Sequence, residues 1–202
     1  DYFVHAGWGN MTIPNSTYHV KENVNNSKNL VTEFYKFGLK KFLFVGTINE
    51  YGNGQGCVKE NYKPKDKLRR YEKGKILFGK IGKQISKKYN KIFIHIRLAN
   101  LYGPIKRENS LIYSIHNAWK KKKDLNVGAL DFYRDYMHSD DAALGIKKIL
   151  ERCDSTNVIN LGSGKILHMR KFVKIYWKVI NKNKKNKINF QKILKKTNYK
   201  GY

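Results

Sequence analysis

The sequence predicts an α/β fold: a parallel sheet flanked by helices in three layers, with a small C-terminal lobe. Two runs carry the prediction. Residues 42–45 (Phe-Leu-Phe-Val, closed by Gly46) and residues 91–98, strongly β-branched, each read as a buried strand. Around them, residues 18–37 and 68–89 repeat apolar side chains three and four apart, the spacing of amphipathic helices. Strands alternating with helices of this length belong to a parallel sheet.

Taken in order, residues 1–7 read as a short strand, with His5 inside it as a structural histidine. Gly7-Trp8-Gly9-Asn10 then turns, and glycine there lets a ligand approach the backbone closely. Residues 12–17 form a loop around Pro14. The helix of 18–37 turns Val20, Val24, Leu30, Val31, Phe34 and Phe37 inward, and Gly38 suits its C-terminus. The strand at 40–45 delivers Thr47 to its C-terminal end, where open α/β sheets place ligands. Residues 52–64, rich in Gly and Asn, are long enough for a substrate lid.

The helix of 68–89 carries Tyr71, Lys75, Phe78, Ile81, Ile85 and Tyr89 on one face. Gly74, Gly79 and Gly82 weaken it in isolation but permit close packing against the sheet or a partner helix. The strand at 91–98 brings Leu98-Ala99-Asn100 to the same C-terminal edge. Residues 110–119 read as a helix ending in the basic run 120–123, which suits the helix dipole. Residues 129–136 read as a short strand and bend. Asp140 or Asp141 caps the helix that follows, which accounts for these acids without a metal. Residues 158–162 form a strand, and 166–180 a helix with Phe172, Ile175, Tyr176 and Val179 inward. From Asn181 the chain is polar and basic, with one apolar segment at 188–194. No internal repeat is visible.

The chemistry concentrates between Phe42 and Lys75. Tyr71 and Lys75 stand four apart on a helix and so share a face. An ammonium beside a phenol favours the phenolate. Such a tyrosine trades a proton with an alcohol or ketone as general acid or base, and the Thr47 hydroxyl holds the same oxygen. Proton removal from an alcohol coupled to hydride loss is dehydrogenase chemistry, with a nicotinamide taking the hydride. A tyrosine and a lysine at this spacing also arise by chance in so Tyr- and Lys-rich a chain; the surrounding order of motifs decides between the two.

That order resembles the extended short-chain dehydrogenase/reductase family, the NAD(P)-dependent epimerase/dehydratase type that modifies nucleotide sugars. The matching stretches run in sequence: Tyr2-Phe3-Val4-His5-Ala6-Gly7, Asn23-Val24-Asn25-Asn26, Phe44 through Gly52, Tyr71 through Lys75, Arg97-Leu98-Ala99-Asn100-Leu101-Tyr102-Gly103-Pro104, Arg134 through Asp141, and Asn160-Leu161-Gly162-Ser163-Gly164. The resemblance implies a Rossmann-like sheet with Thr47, Tyr71 and Lys75 catalytic. It implies cofactor contacts, NAD or NADP, from His5, Ala6, Gly7, Asn23, Tyr71, Lys75, Leu98 and Ala99, with Glu22 an alternative to Asn23. Substrate contacts fall to Trp8, Asn100 and Arg134, the last through a guanidinium fork suited to a diphosphate. Turn formation is the other role open to Asn100, and an ion pair with Asp135 or Asp140 the other role open to Arg134. No metal is implied. The family's helix at 68–89 often helps build a dimer, so a homodimer is implied.

One departure is large. The family opens with a βαβ unit carrying GxxGxxG, which cradles the pyrophosphate on a helix N-terminus. The 202 residues hold no such pattern and start at the fourth strand, so the chain reads as N-terminally incomplete.

Composition bounds the rest. The chain is long enough for a sizeable core and holds no apolar run of membrane-spanning length. Cys57 and Cys153, far apart and without metal spacing, read as free thiols in a reducing compartment, hence a cytoplasmic protein. Forty-two basic residues face fifteen acidic ones, a net charge of +27, and no acidic residue follows Ser155. The bias is to Lys, not to the Arg forks that nucleic-acid binders favour, and reads as compositional drift. Steering of an anionic nucleotide diphosphate is the functional alternative, ahead of nucleic acid.

The expectation is therefore a partial dinucleotide-binding portion over residues 1–104 and a mainly substrate-binding portion over 105–202. Its activity is NAD(P)-dependent reduction of a nucleotide-linked 4-keto-6-deoxy sugar, as in deoxysugar and polysaccharide biosynthesis, from the Trp8-Gly9 turn and the Gly46-Thr47…Glu50-Tyr51-Gly52 form. C4 epimerisation with retained cofactor is the alternative. Dehydration is disfavoured, because Ile48 and Asn49 stand where a dehydratase carries acids. A reading of another class is a non-catalytic relic that binds anionic partners through its basic surface.

Overall fold

A computed structural model describes residues 1–52, 58–104, 110–182 and 186–192. In chain order the elements are β1 (Tyr2–His5), α1 (Glu22–Lys36), β2 (Lys41–Val45), α2 (Arg70–Tyr89), β3 (Ile92–Leu98), β4 (Asn100–Tyr102), α3 (Leu111–Lys120), β5 (Leu125–Val127), β6 (Tyr133–His138), α4 (Ser139–Arg152), β7 (Asn157–Leu161), β8 (Ile166–His168), α5 (Met169–Ile180) and β9 (Ile188–Phe190). Two short 3-10 turns, Thr17–His19 and Ile48–Tyr51, precede α1 and follow β2.

The chain forms two compact units. The first comprises Asp1–Ala99 and Asp140–Gly162; the second comprises Asn100–Ser139 and the chain from Ser163. The first unit is an all-parallel sheet in the order β1-β2-β3-β7. The aromatic run explains its double burial. Phe42, Phe44 and Phe93 point to one face and pack under Val24, Val31 and Tyr35 of α1 and Phe78 of α2. Leu43, Ile94 and Ile96 point to the other, under Ile146, Ile149 and Leu150 of α4. Side chains alternate across a strand, so a run apolar at every position is one covered on both sides.

The helix of 18–37 is shorter than its periodicity suggests. A 3-10 turn capped by the Ser16 hydroxyl takes Thr17–His19, and α1 begins at Glu22. It ends where Gly38 adopts φ 89°, the left-handed residue past the helix, and Phe37, expected inward, is exposed just beyond α1. α2 runs as anticipated, and its glycines face the sheet. A Cβ on Gly82 would fall into the Phe93 ring, and one on Gly79 into the His95 ring; Gly74 lies against the His19 carbonyl.

In the second unit, β4 pairs parallel with β6 and β6 antiparallel with β8; β5 pairs with β9. Ile115 of α3 and Val173 and Trp177 of α5 make its core with Leu125 and Val127. Several local expectations change: Ile175 and Val179, expected inward, are exposed on α5. Residues 166–168 are strand, not helix, because Ile166, Leu167 and His168 pair with Asp135, Arg134 and Tyr133; α5 starts at Met169. And α4 leaves β6 directly at Ser139, so Asp140 and Asp141 lie in its first turn rather than ahead of it. There they still suit the dipole.

Candidate active site

Ten of the twelve anticipated site residues belong to the first unit: His5, Ala6, Gly7, Trp8, Asn23, Thr47, Tyr71, Lys75, Leu98 and Ala99. Asn100 and Arg134 belong to the second.

β2 ends at Val45, and the chain turns through Gly46 into a 3-10 turn that Thr47 caps. The Asn49 N–H donates to Thr47 Oγ1 at 3.3 Å, and the Thr47 N–H donates to Glu50 Oε1 at 2.9 Å, a reciprocal capping box. The hydroxyl thus accepts internally, and among the described residues none takes its proton.

Lys75 is 4 % exposed. Its Nζ donates to the Val45 carbonyl at 2.7 Å and sits 4.9, 5.1 and 5.6 Å from the ring centres of Trp8, Phe44 and Tyr71. Burial pulls its proton affinity down to a pKa of about 8, against an opposing pull from the Glu50 charge. Tyr71, half-buried one turn earlier, packs edge-on against His19 at 5.4 Å, and its N–H donates to the Pro14 carbonyl at 2.8 Å.

The turn after β1 is braced from beneath. The Asn23 amide clamps Gly9, accepting from its N–H at 3.0 Å and donating to its carbonyl at 2.9 Å. Trp8 Nε1 donates to His19 Nδ1 at 3.1 Å, so His19 Nε2 carries the proton given to the Ile13 carbonyl at 3.0 Å. Ala6 and Gly7 are exposed at the C-terminal end of β1. His5 shares a 2.8 Å hydrogen bond with the Ser27 hydroxyl. Burial, and then the Lys75 charge, hold it at a pKa of about 4, so it is neutral at neutral pH. Leu98 joins the apolar layer under α4, and the Ala99 N–H donates to the Leu161 carbonyl at 2.9 Å.

Within the second unit, Asn100 Nδ2 donates to the Asp135 carbonyl at 3.3 Å. Arg134 lies over the Phe132 ring at 4.7 Å and donates to the Tyr133 carbonyl. The Asp135 carboxylate accepts from the Ser163 and Gly164 N–H groups, binding the loop after β7 to β6.

The structure joins residues from three of the matched stretches, with His95, into a cluster that the sequence did not show as a unit. Glu50 is fully buried and receives His95 Nε2 at 3.1 Å and Arg97 Nε at 3.1 Å besides the Thr47 N–H. Arg97 also lies over the Tyr51 ring at 4.4 Å and donates to the Glu60 carbonyl. The Tyr51 hydroxyl donates to Asn160 Oδ1 at 2.6 Å, and Asn160 Nδ2 donates to the Val58 carbonyl at 2.9 Å. Residues 58–60 of the expected lid are therefore tied down; residues 53–57, with Cys57, lie outside the described residues. The local signal within it is Thr47-x-x-Glu50, a capping-box spacing.

A family model described as the NAD dependent epimerase/dehydratase family matches residues 1–162. The chain belongs to this family.

Among curated proteins, the ADP-L-glycero-D-manno-heptose-6-epimerase of Brachyspira hyodysenteriae is 25 % identical over 155 residues, 73 % of this chain and 48 % of its own length. Among solved structures, UDP-N-acetylglucosamine 4-epimerase from Bacillus cereus superposes with a TM-score of 0.81 at 22 % identity, covering 95 % of this chain and 65 % of that one. A GDP-6-OMe-4-keto-L-xylo-heptose reductase from C. jejuni does so with a TM-score of 0.78 at 16 % identity, covering 96 % and 71 %. The chain thus spans about half the length of the curated relative it matches. At these identities the structures establish the fold, Rossmann-like as anticipated. Among the described residues no helix is long and apolar enough to cross a membrane.

Groups of the first unit able to hold the nicotinamide-ribose half of the family's cofactor are the exposed Ala6-Gly7 backbone and the Lys75 ammonium, which among the described residues gives one hydrogen bond, to Val45. The 202 residues contain no GxxGxxG pattern for the pyrophosphate.

Proposed function

We propose that this chain carries the catalytic and substrate-side portion of an NAD(P)-dependent oxidoreductase that reduces a nucleotide-linked 4-keto-6-deoxy sugar. The observation that carries the reading is the buried Lys75 ammonium, anchored on Val45 at the end of β2 and set beside Tyr71. Tyr71 is the general acid that protonates the C4 oxygen as the ketone becomes an alcohol. Lys75 stabilises the phenolate left behind and holds the ribose hydroxyls with its remaining protons. Thr47 holds the same ketone oxygen with a hydrogen bond from its hydroxyl. A nicotinamide bound at this edge supplies the hydride. Ala6, Gly7, Leu98 and Ala99 line the cofactor side; His5 and Asn23 serve it indirectly, Asn23 by fixing the Gly9 turn. Trp8 walls the substrate, and Asn100 and Arg134 contact its sugar and diphosphate.

The family assignment supports the substrate class, and the Ile48-Asn49 pair after Thr47 supports reduction over dehydration. We place the reaction in deoxysugar or polysaccharide biosynthesis in the cytoplasm. A homodimer through α2 is part of the proposal, supported by Leu77, which is exposed on that helix.

C4 epimerisation is the second reading; the 4-epimerase named above supports that position, and the heptose-6-epimerase supports epimerisation without supporting C4. There Tyr71 removes and returns the proton, with no net use of cofactor. The test is NAD(P)H oxidation by the full-length protein with nucleotide 4-keto-6-deoxy sugars. Stoichiometric oxidation that Tyr71→Phe lowers by about 10²-fold or more supports the reductase. Interconversion of C4 isomers without net oxidation replaces it with the epimerase. Absence of both, with no cofactor bound, defeats the proposal.

A further inference from the structure

We propose that Glu50 is the buried counter-charge and positioning residue of this site: its carboxylate fixes Thr47 at the end of β2 and keeps the Lys75 ammonium charged beside Tyr71. This deepens the proposed function and rests on its assignment of Thr47, Tyr71 and Lys75.

The geometry begins at Gly46. A Cβ there would collide with Glu50 Oε1 and His95 Nε2, so the backbone runs directly against the carboxylate. On one side of Gly46, the Val45 carbonyl accepts from Lys75; on the other, the Thr47 N–H donates to Glu50. Three consecutive residues are therefore gripped by an ammonium and a carboxylate of opposite charge, both nine-tenths or more buried.

Glu50 stays anionic despite having no exposure to water. Burial pushes its carboxyl up, but His95, the Thr47 N–H and Arg97 together outweigh it and hold the group below the usual carboxylate range. A carboxylate with three donors meets the condition on which a buried charge survives.

Lys75 needs such a partner. Its ring neighbours from the turn after β1, β2 and α2 itself are Trp8, Phe44 and Tyr71, none of them a carboxylate, and His5 of β1 is held neutral. β3 contributes His95 and Arg97, which face Glu50. Glu50, on the 3-10 turn, is the charge that opposes the desolvation of Lys75. Without it, Lys75 deprotonates at a lower pH and loses its hold on the Tyr71 phenolate.

The experiment is an NMR titration of full-length protein carrying ¹³Cε-lysine, with the Lys75 signal assigned by its loss in Lys75→Arg. The wild-type midpoint is expected at about 8; a midpoint below neutrality overturns the proposal outright. In Glu50→Gln it should fall by about one pH unit or more, a tenfold loss of proton affinity. Because that substitution sets an amide against three donors, Arg97→Gln is titrated in parallel. Removing that cation should raise the midpoint. An unmoved midpoint in Glu50→Gln, when circular dichroism shows it folded, overturns the proposal; if it is unfolded, an unmoved midpoint in Arg97→Gln does so. The readout needs no turnover. A fall in Glu50→Gln without activity on any nucleotide sugar leaves the counter-charge standing and the function refuted; turnover with an unmoved midpoint gives the reverse.

Discussion

The Lys75 ammonium donates to the Val45 carbonyl at 2.7 Å from a position almost closed to water. That contact holds a charge where the protein must work to keep it, and its cost is measurable. Lys75 has its proton affinity lowered in the folded state, to a pKa of about 8 from 10.5. Between those values the unfolded chain binds the proton and the folded one does not, so stability rises with pH across that window. The difference in unfolding free energy, wild type minus Lys75→Met, should grow by about 3 kcal/mol from pH 7 to pH 10.5. Urea denaturation at the two pH values reads it; a difference that stays flat refutes the assignment of the shift to Lys75.

His5 gives the acid counterpart. Its folded pKa of about 4 lies below the ordinary 6.5. Its contribution to stability is complete above 6.5 and is lost as pH falls from there toward 4, where only the unfolded chain is protonated. His5→Gln should show a shallower fall of Tm between pH 6.5 and 4 than the wild type. Parallel curves would mean that His5 titrates normally.

Gly82→Ala reverses the usual rule for helices. In an open helix the change stabilises by about 1 kcal/mol. Here the new methyl meets the Phe93 ring, which is itself buried between α2 and β2. A net loss of about 1–3 kcal/mol is expected, the range of overpacked cores. Chemical denaturation of the single variant decides it, and stabilisation would mean that α2 sits farther from the sheet.

Asn23→Ala removes both hydrogen bonds that clamp Gly9. The Gly9 amide should exchange with solvent about tenfold faster, as expected for loss of roughly 1–1.5 kcal/mol of local hydrogen bonding. Hydrogen exchange read by NMR checks it, with the β3 amides as the unmoved reference.

What the sequence made legible was whatever depends on neighbours along the chain. The runs at 42–45 and 91–98 and the face of α2 had their period in plain view, and Tyr71 and Lys75 follow from it. β4, β5, β8 and β9 are three residues each, too short for any period, and exist because distant strands pair with them. Residues 166–168 read as part of the following helix in the sequence for that reason. Glu50 and His95 stand 45 residues apart and meet only because β2 and β3 lie side by side. A buried carboxylate announces itself by its partners, and those partners are visible only after folding.

The pairing of β3 with β7 has a consequence for synthesis. Phe93 on β3 donates its N–H to the hydroxyl of Thr156, 63 residues further along. At about 5–20 residues per second, a ribosome delivers that partner roughly 3–13 s after β3 itself. Throughout that interval one edge of β3 has no strand beside it, and Ile94 and Ile96 await the helix that buries them. Unpaired apolar edges recruit other chains. The nascent protein therefore passes through seconds in which a strand of its buried sheet is half dressed, and holding factors that mask such edges have their work concentrated there.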